Sequence, residues 1–90
     1  MKVLLHKSAE KYLNRLQVSD RDRFDDAITE LEKEPPEGDI RSYEGSKNVL
    51  RLRVGSYRAL FKYEENCILI THIEPRGQAY KKKTKSKRGK

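Results

Sequence analysis

A single cysteine, two histidines and the lack of any long apolar run set the first limits on this chain. With Cys67 alone, an internal disulfide is excluded, and nothing in the cysteine usage argues for an oxidising compartment. The opening Met1-Lys2-Val3-Leu4-Leu5-His6 is too short an apolar stretch for a secretion signal. No segment reaches the roughly 20 apolar residues that a membrane-spanning helix requires. A cytoplasmic protein is therefore expected. His6, His72 and the scattered carboxylates form no metal-ligand spacing, and neither a Gly-rich phosphate loop nor a Ser-His-Asp set can be assembled, so no metal and no cofactor is expected. Apolar residues are themselves sparse, at 34% against 39% charged. A chain of this length buries only about 60–65% of its unfolded surface, which leaves one thin core and one domain.

The charge is unevenly placed. The total is +7, yet residues 1–40 sum to −3 and residues 63–75 to −3, while residues 41–62 sum to +5 and residues 76–90 to +8. A polyanion would meet a central basic segment, carrying Arg41, Lys47, Arg51, Arg53, Arg58 and Lys62, and a basic tail that includes Lys81, Lys82 and Lys83. From Lys81 to Lys90 no apolar residue occurs, so that tail is expected to be disordered when free, appended to a domain at residues 1–80. It has two readings: added affinity for RNA phosphates, falling steeply with salt, or a solvated extension that maintains solubility.

Hydrophobic spacing gives the elements. Val3-Leu4-Leu5-His6 reads as a short strand. Ala9, Tyr12, Leu13 and Leu16 repeat at helical spacing after Ser8, a plausible N-cap. Phe24, Ala27, Ile28 and Leu31 repeat it in a second helix, for which Ser19 and Asp22 fit a capping box and Pro35-Pro36 a stop after Glu34. Residues 37–48 read as a loop. Leu50, Leu52 and Val54 then alternate with Arg51 and Arg53, and Gly55-Ser56 suits a two-residue hairpin turn. Tyr57–Tyr63 returns as a strand, Glu64-Glu65-Asn66 turns, and Cys67–Ile73 is the nearly continuous apolar run of a central strand buried on both faces. The expected architecture is α+β, in the order β-α-α-β-β-β, with two N-terminal helices on one face of an antiparallel meander.

The hairpin carries the sharpest chemical inference. A two-residue turn at Gly55-Ser56 sets Arg53 directly across from Arg58, with Arg51 on the same face. Like charges opposed on a sheet are destabilising, and the planar fork of guanidinium suits phosphate. The competing reading is a solvated face of long amphipathic side chains. Beyond the last strand, Arg76 and Tyr80 lie four residues apart; Tyr80 is suited to stacking on a base or carrying a proton, and as ordinary residues they would be a surface arginine and a satellite-core aromatic. His72, within an apolar strand, reads as a core or rim residue rather than a catalyst, and Cys67 as an inert small hydrophobe.

Val49-Leu50-Arg51-Leu52-Arg53-Val54-Gly55-Ser56-Tyr57-Arg58-Ala59-Leu60-Phe61 resembles the central signature of the RelE/ParE toxin superfamily. Ser8-Ala9-Glu10-Lys11-Tyr12-Leu13 is similar to that family's first helix, and Arg76 with Tyr80 to its closing arginine–tyrosine pair. Pro75-Arg76-Gly77 is similar to archaeal members. The likeness runs in order over about residues 1–81. It implies a toxin held inactive by a cognate antitoxin and acting as a ribosome-dependent endoribonuclease, or messenger-RNA interferase. In such a reaction the RNA's own 2′-hydroxyl attacks the adjacent phosphorus, leaving a 2′,3′-cyclic phosphate and a 5′-hydroxyl. By motif position the resemblance implies that Arg51 and Arg53 hold phosphates, Arg58 grips the scissile phosphate, Arg76 assists, and Tyr80 stacks or deprotonates. Lys47, Lys62, Lys81, Lys82 and Lys83 would add RNA contacts. Such a mechanism is mostly electrostatic stabilisation of developing charge.

Two departures bear on activity. Some members carry lysines where this chain has Arg51 and Arg53, and an arginine does not serve as a base. Many carry a histidine before the closing arginine, where this chain has Pro75. Proton transfer then rests on Tyr80 alone, which leaves room for a weakened enzyme. Two other functions fit the same fold: a ParE-like, non-enzymatic poison of DNA gyrase, and a catalytically inactive RNA-binding relative. For a toxin, the small apolar supply implies that part of the sheet edge or a helical stripe is left for an antitoxin segment that folds on binding.

Overall fold

The computed structural model describes residues 1–44 and 46–76. Strand β1 (Lys2–Leu5) leads into helices α1 (Lys7–Asn14) and α2 (Val18–Leu31), followed by β2 (Asp39–Ser42), β3 (Leu50–Val54), β4 (Tyr57–Tyr63) and β5 (Cys67–Pro75). The five strands form one mixed sheet in the order β1-β5-β4-β3-β2. The β3–β4–β5 meander is antiparallel, and β1 closes one edge parallel to β5. The α+β layering is the expected one. The fifth strand is new: Asp39–Ser42 lies within the stretch that reads as a loop, and pairs with β3 through Arg41 opposite Arg51 and Asp39 opposite Arg53. Its four residues include one apolar side chain, Ile40, too few to produce a visible alternation.

Helix boundaries shift for local reasons. His6, not Ser8, caps α1: its Nδ1 accepts the Ser8 backbone N–H at 3.2 Å. Helix α2 begins at Val18 with Gln17 as a cap that makes no side-chain bond, so Ser19 lies inside the first turn. It ends at Leu31, three residues ahead of the expected stop, with Glu32 as its C-cap.

One face of the sheet holds the core. Leu52, Val54, Ala59, Phe61, Ile68, Ile70 and Ile73 point towards Ala9 and Leu13 of α1 and Phe24 and Leu31 of α2, all buried. The turn between β3 and β4 is as tight as the sequence suggests: Val54 pairs with Tyr57 and Arg53 with Arg58. Gly55 takes φ +58, the positive value that primed hairpin turns need at their first central position.

Strand β5 does not follow a strict alternation. Leu60 pairs with His72 but Phe61 pairs with Ile70, so Thr71 is an extra residue and β5 bulges there. The bulge allows Ile68, Ile70 and Ile73 all to face the core. It also turns His72 and Glu74 to the other side of the sheet. Among the described residues no helix covers that outer side, and the strand that reads as buried on both faces has an exposed His72 and half-buried Cys67, Leu69 and Thr71.

Candidate functional site

On the outer face the strand registers set two rows of side chains across the sheet. One row runs Asp39, Arg53, Arg58, Glu74; the next runs Arg41, Arg51, Leu60, His72. Each row therefore contains a directly opposed arginine pair, Arg53 with Arg58 and Arg41 with Arg51. Opposed like charges oppose folding by tenths of a kcal/mol to about 1 kcal/mol each. Asp39 offsets some of this from the edge, at 3.6 Å from Arg41 Nε and 3.7 Å from Arg53 Nε.

Between β2 and β4 these side chains border a cleft of about 580 Å³, lined by Arg41, Ser42, Tyr43, Glu44, Arg51 and Arg58. The Tyr43 N–H donates to the Val49 carbonyl, extending the β2–β3 ladder by one residue and keeping Tyr43 on the same face as Arg41 and Arg51. The Arg58 guanidinium carbon lies 5.8 Å from the Tyr43 ring centroid, within cation–π range. Arg51 Nε is buried and has no hydrogen-bond partner among the described residues. An unmet buried donor costs about 1–3 kcal/mol, a cost that an anion held by the same guanidinium would offset.

Arg58 is the best-held of the arginines, with its side chain 23% exposed. Its Nε donates to Glu74 Oε2 in a charge-assisted bond, and the other Glu74 oxygen lies 3.0 Å from His72 Nε2. Glu74 fixes the arginine through Nε alone, so the two terminal amino groups can still grip a phosphate as a fork.

The expected site residues divide among several places. Arg51 and Arg58 share the cleft. Arg53 is on the same face but not in the cleft lining, and pairs with Asp39. Arg76 lies at the end of β5, where Nη1 donates to the Gly55 carbonyl at 2.6 Å and its backbone N–H to the Ser56 carbonyl at 2.8 Å; it clasps the β3–β4 turn. Lys47 and Lys62 line a second, smaller cleft of about 400 Å³ beside Tyr63 and Glu64, with Lys62 3.5 Å from Glu64. Tyr80, Lys81, Lys82 and Lys83 lie outside the described residues. Sequence reasoning missed Tyr43, Glu74 and His72 as members of the site, and counted Arg41 only as charge.

The opposite face carries two shifted tyrosines. The Tyr57 hydroxyl donates to Asp20 Oδ2 at 3.3 Å, and Tyr12 packs edge-on against Tyr57 with ring centroids 6.2 Å apart. Burial and, after it, the Asp20 charge raise Tyr57 above its ordinary 10.0; burial, then Tyr57 and Glu74, raise Tyr12 likewise. A tyrosine raised on folding stabilises the fold while both states are neutral, and that contribution is lost as pH rises above 10. Denaturant midpoints should therefore be insensitive to these groups below pH 10 and fall above it, less steeply in a Tyr57→Phe variant, as a urea titration at stepped pH would record.

Comparison with known proteins places this geometry. Residues 3–80 match a family model described as the ParE toxin of type II toxin–antitoxin systems, parDE. A search of curated proteins found no match. Among solved structures, the archaeal RelE–RelB complex from Pyrococcus horikoshii OT3 contains a chain 31% identical over 86% of this chain and 96% of that one, with a TM-score of 0.70. The RelB–RelE antitoxin–toxin complex from Methanococcus jannaschii gives 25% identity over 86% and 94%, TM-score 0.69. The isolated Escherichia coli RelE toxin shares the fold, with a TM-score of 0.68 over 88% and 89% at 13% identity.

Proposed function

The chain belongs to the RelE/ParE toxin superfamily of type II toxin–antitoxin systems, and from that premise we propose that it is a ribosome-dependent endoribonuclease that cleaves messenger RNA. The observation that carries this reading is the pair of opposed arginine couples on one sheet face, Arg41 with Arg51 and Arg53 with Arg58, of which Arg41, Arg51 and Arg58 line a cleft that also offers an aromatic ring. Clustered guanidinium groups match successive phosphates, and Tyr43 supplies a surface on which a base stacks. Arg58, held by Glu74, grips the scissile phosphate, and Arg51 stabilises the charge that grows on its oxygens as the 2′-hydroxyl oxygen attacks. Arg53 holds a neighbouring phosphate, and Arg76 braces the turn that sets Arg53 against Arg58.

An antitoxin partner belongs to the same reading. Both archaeal relatives were solved in complex with RelB. Among the described residues β1 and β2 form the two unpaired sheet edges, and Leu4 and Val18 are large exposed apolar side chains, as befits a chain that docks a partner segment.

The family model that matches is of ParE toxins, which keeps gyrase poisoning as the second reading. One experiment separates the two. The chain is expressed from a controlled promoter, 5′ ends of messages are mapped, and gyrase–DNA complexes are assayed in the same cells. New 5′-hydroxyl ends within translated codons are expected. Growth arrest with intact messages and trapped gyrase would replace the interferase with a gyrase poison.

A further inference from the structure

Arginines stabilise charge but do not take up a proton at neutral pH, so cleavage by 2′-hydroxyl attack needs a proton acceptor besides the cationic cleft. Resting on the endoribonuclease reading, we propose that His72 is that acceptor, oriented by Glu74 and placed beside the scissile phosphate that Arg58 holds. Three features of the structure carry it. First, the bulge at Thr71 turns His72 and Glu74 out of the core onto the arginine face, and bulges commonly re-aim side chains next to sites of chemistry. Second, a single carboxylate holds both the arginine and the imidazole, Glu74 Oε2 on Arg58 Nε and Glu74 Oε1 at 3.0 Å from His72 Nε2. The two groups are thereby kept within one carboxylate's span of each other. Third, the His72 side chain remains 55% exposed, while those of Glu74 and Arg58 are only 27% and 23% exposed; the reacting group is accessible and its supports are packed.

The tautomer follows from the partner. An ionised carboxylate only accepts, so the neutral ring carries its hydrogen on Nε2 and keeps the Nδ1 lone pair for a proton. Across the row, Arg51 and His72 flank Leu60, one strand to either side, so a phosphate resting over Leu60 meets a cation on one flank and a base on the other. In the step itself, Nδ1 takes the 2′-hydroxyl proton, the 2′-oxygen bonds to phosphorus, and the bond from phosphorus to the 5′-oxygen breaks. The departing 5′-oxygen takes a proton from water and His72 returns its own to solvent, so the count closes with a 2′,3′-cyclic phosphate and a 5′-hydroxyl. In the sheet register the charged groups beside His72 are Glu74 on its own strand and Arg58 and Lys62 on β4, Lys62 being paired with Glu64 at 3.5 Å; on the β1 side of β5 the titratable neighbour is His6, whose Nδ1 accepts the Ser8 N–H.

The test is single-turnover cleavage of a defined message on programmed ribosomes, from pH 5 to 9, with the full-length chain. Wild type should lose rate on the acid side with a single-proton slope. His72→Ala should cut about 10²–10³-fold more slowly, lose that acid limb, bind ribosomes unchanged, and regain rate with added imidazole. Glu74→Gln should keep the limb at a lower plateau. A His72→Ala chain that cuts at the wild-type rate, while Arg58→Ala does not, overturns the role of His72 and leaves the endoribonuclease standing. A wild-type chain that leaves every message intact overturns both.

Discussion

Arg58→Ala is expected to lower message cleavage by about 10²–10³-fold, or roughly 3–4 kcal/mol of transition-state stabilisation, the size of effect found when one preorganised donor to a developing anion is removed. The expectation comes from how Arg58 is held rather than from its charge alone. Glu74 takes its Nε, Tyr43 lies 5.8 Å from its guanidinium carbon, and its side chain is the less exposed partner in its ion pair. A phosphate therefore meets a fork already oriented, with little reorganisation left for the moment of reaction. Arg58→Lys is the informative companion. It keeps the charge but replaces the planar fork with a single flexible ammonium, so most of the rate should still be lost. Removing Arg41 should cost less, since its Nε faces Asp39 and its side chain is 66% exposed. Cleavage of programmed-ribosome messages by purified variants, with circular dichroism to show that each remains folded, reads all three. Equal activity of Arg58→Ala and wild type would remove the arginine face from the mechanism.

How much of this was legible in the sequence depends on whether a feature lay in local spacing or in register. The α+β order, the β3–β4 turn at Gly55-Ser56 and the opposition of Arg53 to Arg58 all follow from short-range patterns, and the structure holds each of them. Strand β2 did not, because its pairing with β3 rather than its own composition makes it a strand. The site was half legible for the same reason. Counting by twos from the buried Ile68 and Ile70 assigns His72 and Glu74 to the core face, and only the extra residue at Thr71 turns them outward. A bulge has no dependable sequence mark, although one clue was present: Ile68, Ile70 and Ile73 cannot all face inward under strict alternation. Tyr43 was hidden in the stretch that reads as a loop, and its place beside Arg58 depends on the β2–β3 ladder. Arg76 was found, but its hydrogen bonds show it bracing the hairpin turn.

Phe61→Ala should have the largest effect on stability, about 3–5 kcal/mol, and it should remove activity by a different route from Arg58→Ala. Phe61 is fully buried in β4, opposite Leu50 on one side and Ile70 on the other, with an edge-on contact to Tyr63 at 6.0 Å between ring centroids. A domain this small has one thin core to draw on, with a net stability of roughly 5–14 kcal/mol at about 0.05–0.15 kcal/mol per residue. Loss of the ring therefore removes a large share of it. The consequence reaches the outer face through the strand itself. Arg58 and Leu60 point outward and Ala59 and Phe61 inward from one stretch of backbone, and the register change between Leu60 and Phe61 is what sets His72 opposite Leu60 and Glu74 opposite Arg58. When the inward side is emptied, that register loses the packing that fixes it. Urea unfolding should show a large fall in midpoint for Phe61→Ala and a smaller loss, about 1–2 kcal/mol, for Phe61→Leu, with cleavage falling in step with the folded fraction. Arg58→Ala should do the reverse, with cleavage lost and the midpoint nearly kept. If Phe61→Ala unfolds at the wild-type midpoint, the core described here does not hold β4, and the geometry of the arginine face must be fixed by the outer-face ion pairs instead.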